Sequence, residues 1–451
     1  MALACVVLLA GCATVYNLPG NVQLGETLAD NNFGREVPNL DDDVLLALSF
    51  SGGGTRAAAF SFGVLTELER ARAGSNKTKS LLDRVDFISG VSGGSVTAAY
   101  FGLKKLAALD DFRERFLLRN AEEGLNTSVS LGNIARAIGG GVNDSQFTNW
   151  LDANVFDGAR FDAFREDRRP RVWINASDIY NRTPFVFGRT AFDALCSDIR
   201  PYRVAEAVAA SAAVPLAFAP IVLETFPGGC TKQLPPLLER ARRDPQAQPL
   251  LRSFAEANAR YRDGSMRFVK LLDGGLVDNF GLSGFSIALM AAQRPFEPMT
   301  ERQAAKVRRI MFLVVDAGRG NSGDFAQRLE GPSGVELVSA ASTAIDASVR
   351  LSYAAFSSQL NEWSTKVKRW RCGLSAAERA RLGVGTNWRC GDLTILIDRL
   401  GFEQLGPERA GILEAIPTRF VLPPEQVDLL IQGGADALRE SRAYQAFRGG
   451  L

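Results

Sequence analysis

The chain has 451 residues, a formal net charge of +2, and a composition that is 46% hydrophobic and 23% charged. That is ample material for the core of one large globular domain with appendages, or of two domains. Acidic and basic residues are interspersed, which argues against a nucleic-acid-binding protein, and no internal apolar run reaches the roughly 18 to 20 residues of a membrane-spanning helix. Histidine is absent, which excludes a Ser-His-Asp triad.

The first residues, MALACVVLLAGCATVYN, combine a short apolar run at 2–10 with Leu9-Ala10-Gly11-Cys12. This resembles the lipobox of bacterial lipoproteins, in which cleavage before the cysteine leaves Cys12 as the lipid-modified first residue. A signal segment requires a lysine or arginine before its apolar run, and none precedes this one. The alternatives are therefore a start further upstream or an ordinary apolar tail. Ala13 after the cysteine resembles lipoproteins sorted to an outer membrane, so we expect a lipid-anchored protein of the bacterial cell envelope, on the periplasmic side of that membrane.

Cysteine usage fits export. With Cys5 removed and Cys12 lipidated, four cysteines remain, and four in an exported chain predict two disulfides. Of the three possible pairings, we favour the nearest-neighbour one because it closes the shorter loops. The alternative is four buried free thiols. The favoured pairs are Cys196–Cys230 and Cys372–Cys390.

Residues 12–43 read as a tether, because they contain prolines, several asparagines and the run Asp41-Asp42-Asp43. Residues 44–50 then form a buried strand that continues into Ser51-Gly52-Gly53-Gly54-Thr55-Arg56, followed by a helix over 57–72. Consecutive glycines after a strand let backbone N–H groups converge on one point, which suits an oxyanion or a phosphate. The spacings of nucleotide-binding glycine motifs are missing, so nucleotide binding is not expected.

The next unit, residues 85–95, reads VDFISGVSGGS. A short apolar strand ends in Gly90-Val91-Ser92-Gly93-Gly94, and a helix-compatible run over 96–109 follows. This is the G-x-S-x-G pattern of a nucleophile elbow, in which the serine occupies a strained turn and small neighbours avoid the strand and the helix. An ordinary glycine-rich turn is the alternative interpretation. Without histidine, a catalytic Ser92 needs another base, and a carboxylate is the best available.

A candidate carboxylate follows the predicted strand at 268–272, where Asp273 precedes Gly274 and Gly275. Asp-Gly is often only a turn. However, Asp273 falls at the carboxyl end of a strand, as do both glycine turns. Functional loops of parallel sheets lie at that edge.

Further strands are predicted at 171–179 and 310–315, and helices intervene at 112–123, 203–214 and 283–293. Strands alternating with helices predict an α/β fold with a mainly parallel sheet covered on both faces. The polar, proline-rich segment 224–263 reads as a surface insertion. The long helical stretch 334–363 and amphipathic pieces such as 424–440 suggest packed layers, so we expect a catalytic domain at 44–320 and a mixed, largely helical C-terminal extension at 321–451.

The glycine loop, the elbow and the Asp-Gly-Gly turn together resemble the patatin-like phospholipases in order and type. A fourth match is Ala210-Ser211-Ala212-Ala213-Val214-Pro215, like the family's A-S-x-A-x-P element, and Asn175-Ala176-Ser177-Asp178 resembles another family segment. The match covers roughly residues 44–317. Ser51 and Ala57 depart from the family's D-G-G-G-x-R-G loop. The resemblance implies a three-layer patatin-like sandwich and a Ser–Asp dyad that uses no histidine.

The resemblance further implies that Asp273 takes the proton of Ser92, and that N–H groups of Gly52, Gly53 and Gly54 hold the oxyanion, with Gly93 contributing or shaping the site. Arg56 would orient the loop or face a lipid phosphate, or be structural. We therefore expect a membrane-lipid acyl hydrolase with no cofactor and no metal. The alternatives are a carboxylesterase acting on soluble or neutral-lipid esters and a non-catalytic lipid-binding envelope lipoprotein. Oligomeric state is not predicted.

Overall fold

A computed structural model describes residues 15–25, 43–73, 79–125, 133, 136–137, 140–164, 169–231, 233–318, 329 and 334–451. The expected lipidation residue, Cys12, lies outside them. The strands are β1 (Val22–Gln23), β2 (Val44–Phe50), β3 (Arg72–Ala73), β4 (Lys79–Ser80), β5 (Val85–Val91), β6 (Arg171–Asp178), β7 (Thr183–Phe187), β8 (Ser197–Asp198), β9 (Ile221–Glu224), β10 (Phe268–Asp273), β11 (Arg309–Val315) and β12 (Thr394–Leu400).

Within the described residues, eight of these strands form one sheet in the order β12-β11-β2-β5-β6-β10-β9, with β7 paired to β6. The five strands from β12 to β6 are parallel to one another. β10 and β7 run antiparallel to β6, and β9 runs antiparallel to β10. The expected mainly parallel central sheet is confirmed.

The central strands β2 and β11 are mostly apolar because both of their faces are buried. Along β2, Leu46 and Leu48 belong to one apolar cluster, whereas Leu45 and Ala47 belong to a second cluster on the opposite face. Strand side chains alternate between faces, so a strand covered on both sides reads as a continuous hydrophobic run. This explains why these strands could be recognised from the sequence.

Helices cover both faces and complete the three layers. The helices are α1 (Gly54–Arg70), α2 (Gly93–Lys104), α3 (Ala108–Phe112), α4 (Gln146–Leu151), α5 (Arg189–Ala194), α6 (Val204–Ser211), α7 (Pro236–Arg243), α8 (Pro249–Arg262), α9 (Gly275–Asp278), α10 (Ser283–Met290), α11 (Glu301–Lys306), α12 (Gly334–Cys372), α13 (Ala376–Leu382), α14 (Pro407–Ala415), α15 (Pro424–Glu440) and α16 (Arg442–Gly449). Helices α1, α2, α6 and α15 contribute to the first cluster, and α10, α11 and α12 to the second.

Two segments are more integrated than the sequence suggested. Residues 15–25, expected to belong to a tether, lie along the domain: β1 pairs with β8, and the side chain of Asn21 donates hydrogen bonds to Ser197 and to the carbonyl of Glu224. The C-terminal part is not an appended extension, because it supplies β12 to the central sheet and α15 to the layer that covers α1. The predicted boundary at residue 320 therefore does not separate two structural units.

The segment 224–263 carries α7 and α8, which form a small apolar cluster with α10. Two disulfides, Cys196–Cys230 and Cys372–Cys390, follow the nearest-neighbour pairing that the sequence favoured. No helix in the described part of the chain is both long enough and apolar enough to cross a bilayer.

Candidate active site

Ser92 occupies the turn between β5, which ends at Val91, and α2, which begins at Gly93. Its backbone has φ of 50° and ψ of −123°, a conformation that residues other than glycine rarely adopt. The turn is fixed by hydrogen bonds: the Ser92 amide donates to the Ser211 hydroxyl at 2.8 Å, and that hydroxyl donates to the carbonyl of Asn175 at 2.6 Å. The structure therefore places Ser92 on a strained, tightly held turn.

The strand that places Asp273 beside this turn runs in a direction that the sequence did not predict. β10 is antiparallel to β6, so Asp273 lies at the expected carboxyl edge of the parallel strands although its own strand runs in the opposite direction. β10 pairs only with the final residues of β6, and Asp273 lies opposite Ala176. The neighbouring residue Asn175 pairs with Val91, directly before Ser92. The last residue of β10 is thereby brought beside the elbow.

The A-S-x-A-x-P element positions both residues of the pair. The Asp273 amide donates to the carbonyl of Ala213 at 2.9 Å, and the Gly274 amide donates to the carbonyl of Ser211 at 3.1 Å. The hydroxyl of Ser177 donates to the Asp273 carbonyl at 2.8 Å. Because the Ser211 side chain also accepts from Ser92, the end of α6 links the elbow to the aspartate turn.

The Asp273 carboxylate lies almost fully within the protein, with 9% of the residue exposed, and Ser92 is 5% exposed. Burial raises the pKa of Asp273 to about 6, whereas hydrogen bonds from the Gly275 amide and the Ser92 hydroxyl act in the opposite direction. The Gly275 amide donates to Oδ1 at 2.8 Å. A carboxylate with this pKa is ionised at neutral pH and is a stronger base than an exposed aspartate.

The glycine loop after β2 lies against the elbow. A β-carbon placed on Gly93 would lie 1.9 Å from the carbonyl oxygen of Gly54, so the two turns touch through glycine. Gly53 and Gly54 have φ of 140° and 59°. Within the described part of the chain, the amides of Gly53, Gly54 and Gly93 have no hydrogen-bond partner. They remain available to a bound oxyanion.

The Gly52 amide, which we expected to be an oxyanion donor, already has hydrogen-bond partners. It donates to the side-chain oxygen of Asn279 at 3.2 Å and lies 3.3 Å from the Asn279 carbonyl oxygen. A β-carbon on Gly52 would lie 2.5 Å from the same side-chain oxygen and 3.3 Å from the Ser92 β-carbon. Gly52 is thus needed for close approach to Asn279 and Ser92, but its amide is already engaged and is not a free oxyanion donor.

Arg56 is buried and structural rather than exposed to a lipid phosphate. Its Nε donates to the carbonyl of Ala317 at 2.9 Å, and one terminal nitrogen donates to the carbonyl of Ile416 at 2.7 Å. These bonds tie the start of α1 to segments far away in sequence. Of the alternatives that the sequence left open, the placement favours a structural, loop-orienting role.

The loop 416–420 also contacts the glycine loop directly. The Thr55 amide donates to the Arg419 carbonyl at 2.8 Å, and a β-carbon on Gly54 would lie 2.5 Å from that oxygen. The Arg419 guanidinium in turn donates to both carboxylate oxygens of Glu122, at 2.6 and 3.3 Å, and the Phe420 amide donates to the same carboxylate at 2.8 Å. Residues more than 360 positions further along the chain therefore support the glycine loop.

Sequence reasoning missed several of these supporting residues. Ser211 belonged to a recognised motif, although its role was not identified. Asn279 follows Asp273 by only six positions, which was its only signal. Arg419 and Glu122 carried no signal at all, because their partnership depends on tertiary structure. Among the described residues, no three histidine, cysteine, aspartate or glutamate side chains converge as a metal site would require.

A family model described as patatin-like phospholipase matches residues 48–285, which is over half of the chain. The chain belongs to the patatin-like phospholipase family. The matched region contains Ser92, Asp273 and the glycine loop, whereas the supporting loop 416–420 lies outside it. The expectation drawn from four short motifs is confirmed at the level of family and fold.

Solved structures similar to this patatin-like protein include the human GIVD cytosolic phospholipase A2, at 12% identity and a TM-score of 0.43, with 92% of this chain and 60% of that chain covered. VipD from Legionella pneumophila is similar at 11% identity and a TM-score of 0.34, with 90% and 67% covered. This chain thus spans about three-fifths of the human enzyme's length. No curated protein matches it.

Proposed function

We propose that this protein hydrolyses carboxylic esters of membrane lipids, as a phospholipase A does, through a dyad of Ser92 and Asp273. The observation that supports this most is the position of Ser92, on its strained turn, beside the end of the strand that carries Asp273, a buried carboxylate whose pKa burial raises to about 6. Membership of the patatin-like phospholipase family supports the lipid substrate class. A base of this strength next to a strained serine suits a chain without histidine.

In the proposed reaction, Asp273 accepts the proton of Ser92 as its Oγ attacks the ester carbonyl carbon. The tetrahedral intermediate collapses, and the leaving alcohol takes the proton from Asp273. Water then attacks the acyl-enzyme, with Asp273 again as the base, and releases the fatty acid and free Ser92. Each proton that the carboxylate accepts is returned within the cycle.

The developing oxyanion would be stabilised by the amides of Gly53, Gly54 and Gly93. Gly93 is the first residue of α2, so the positive end of that helix dipole would add to the stabilisation. Gly52 would shape the site rather than donate, because Asn279 occupies its amide.

We also propose that the protein is lipid-anchored through Cys12, at the periplasmic side of an outer membrane. The lipobox-like sequence before Cys12 supports this location. An anchored enzyme would stay close to its substrate surface. Mass spectrometry of Cys12 in protein made in a Gram-negative host tests the anchor, and an unmodified Cys12 would contradict it.

The activity is tested with purified wild type, Ser92→Ala and Asp273→Asn, using micellar phospholipid, a short-chain soluble ester and a fluorophosphonate probe. We expect the wild type to release fatty acid from phospholipid and to be labelled. Ser92→Ala should show neither, and Asp273→Asn should lose most of both. Faster hydrolysis of the soluble ester would instead indicate a general carboxylesterase, and an unlabelled, inactive wild type would indicate a binding protein.

A further inference from the structure

Three exposed hydrophobic residues adjoin the Ser92–Asp273 site. Leu276 follows Asp273 by three positions, and Val214 directly follows Ala213, whose carbonyl accepts the Asp273 amide. Leu216 belongs to a turn in which the Phe218 amide donates to the Val214 carbonyl at 3.0 Å. Their exposed fractions are 40% for Leu276, 42% for Val214 and 63% for Leu216.

The N-terminal segment adds two more such residues. The Asn17 side chain donates to the carbonyls of Ala219 and Pro220, at 3.2 and 3.1 Å, which fixes this segment against the loop that carries Leu216. The flanking side chains are strongly exposed, Tyr16 at 68% and Leu18 at 79%. We refer to Tyr16, Leu18, Val214, Leu216 and Leu276 together as the apolar rim.

Leu216 is notable for its backbone as well as its exposure. Its φ of 69° lies in the left-handed region, which leucine adopts only at a cost in conformational energy. That cost is not offset by burial, since most of its side chain faces solvent. Single exposed apolar residues are ordinary, but a cluster beside a functional site indicates a surface that meets an apolar partner.

We propose that the apolar rim inserts into the surface of a phospholipid bilayer and presents the Ser92 site to its substrate. This inference rests on the proposed function. The distance from the proposed anchor supports a bilayer over a protein partner: Val15 lies three positions after Cys12, and a chain extends at most about 3.6 Å per residue. A lipid on Cys12 would therefore lie within about 11 Å of Val15, two residues from the Asn17 contact.

The test measures binding separately from catalysis. Full-length protein carrying Cys12→Ser and Ser92→Ala is titrated with sonicated vesicles of phosphatidylethanolamine and phosphatidylglycerol, and the bound fraction is measured by flotation. Adding Leu18→Gln, Leu216→Asn and Leu276→Gln should lower the partition coefficient about tenfold or more. Asparagine suits position 216 because it tolerates a left-handed backbone, and circular dichroism with thermal melting verifies folding.

A matched control replaces an exposed leucine of another helix. Leu429→Gln in α15, next to Asp428, which pairs with Arg113, should change the partition coefficient by less than about twofold. Parent binding should also persist in about 1 M salt, where charges are screened beyond about 3 Å. Binding lost in salt would indicate an ionic surface instead.

The inference is overturned if the folded rim variant binds vesicles as well as the parent. It is also overturned if the parent sediments as a dimer that the rim substitutions dissociate, because the rim would then contact a second copy. Neither result depends on turnover, since Ser92 is replaced throughout. Failure of the proposed function would appear separately, as an absence of phospholipid hydrolysis by the wild type.

Discussion

The turn after β5 and the turn after β2 have the same local plan, a buried strand followed by glycines and a helix, but different supports. The elbow at Ser92 is held by groups of the family-matched region, among them Ser211 and Asn175. The glycine loop depends partly on the Arg419 carbonyl, more than 360 positions away. Similar local sequences therefore differ in how much remote structure they need.

This difference matters because the proposed chemistry uses both turns at once. The elbow would supply the nucleophile, and the loop would supply oxyanion donors. The elbow's conformation follows from its own sequence and one well-marked motif. The loop's position requires contacts from Ala317, Ile416 and Arg419. Substitutions that separate the two contributions test the comparison.

The largest effect is expected from Gly93→Ala, where the two turns meet. The new methyl group would overlap the Gly54 carbonyl oxygen, so both turns must shift and the donors lose their alignment. We expect ester hydrolysis to fall by about 10²- to 10³-fold. Initial-rate kinetics check this result, and Gly411→Ala serves as control because a methyl group there meets nothing within 4 Å. Near-full activity of Gly93→Ala would show that the contact between the turns is unimportant.

The next effect concerns the free energy of unfolding, which is lowered because the ionised Asp273 carboxylate is buried. The folded-state pKa of Asp273 is raised from 3.8 to about 6, so stability present below pH 4 is lost as pH rises through 6. At about 1.36 kcal/mol per pKa unit, Asp273→Asn should stabilise the protein by up to about 3 kcal/mol at pH 8. Urea unfolding measures this gain, which should shrink progressively from pH 6 to pH 4. A gain that is independent of pH would refute the linkage.

A smaller effect, a fall in kcat/KM of about tenfold per pH unit, is expected when the pH is lowered below 6. Asp273 must be ionised to accept the Ser92 proton, and its pKa is about 6. The value of kcat/KM should therefore fall about tenfold per pH unit below 6 and be flat above it. A pH–rate profile on a soluble ester checks this expectation. A midpoint near 4 would mean that burial does not tune the base as described.

The smallest effect is expected from Glu122→Gln, which weakens the ion pair that supports the loop 416–420. A slight shift of the Arg419 carbonyl would misplace the glycine loop, so kcat should fall about five- to tenfold with KM unchanged. Asp428→Asn is the matched control, because Asp428 also forms a two-bond pair with an arginine, Arg113, at 2.9 Å. Equal losses in both variants would indicate a general stability effect instead.

Much of the core could be predicted because central strands such as β2 and β11 are seven residues long and mostly apolar. The family could be predicted because its motifs lie on strand ends. In contrast, β12 was missed, since an edge strand with half-exposed residues lacks a distinct pattern. The sequence suggested that Asp273 shares an edge with Ser92, but the antiparallel direction of β10 could not be read from it. The roles of Asn279 and Arg419 depend on contacts that no local pattern encodes.

The support of the glycine loop by residue 419 has a consequence for biosynthesis. A ribosome completes the serine turn early, but the Arg419 carbonyl that accepts the Thr55 amide is added much later. Forms that lack residue 419 would therefore hold Ser92 beside an incompletely positioned glycine loop. For the proposed reaction, such forms would lack aligned oxyanion donors.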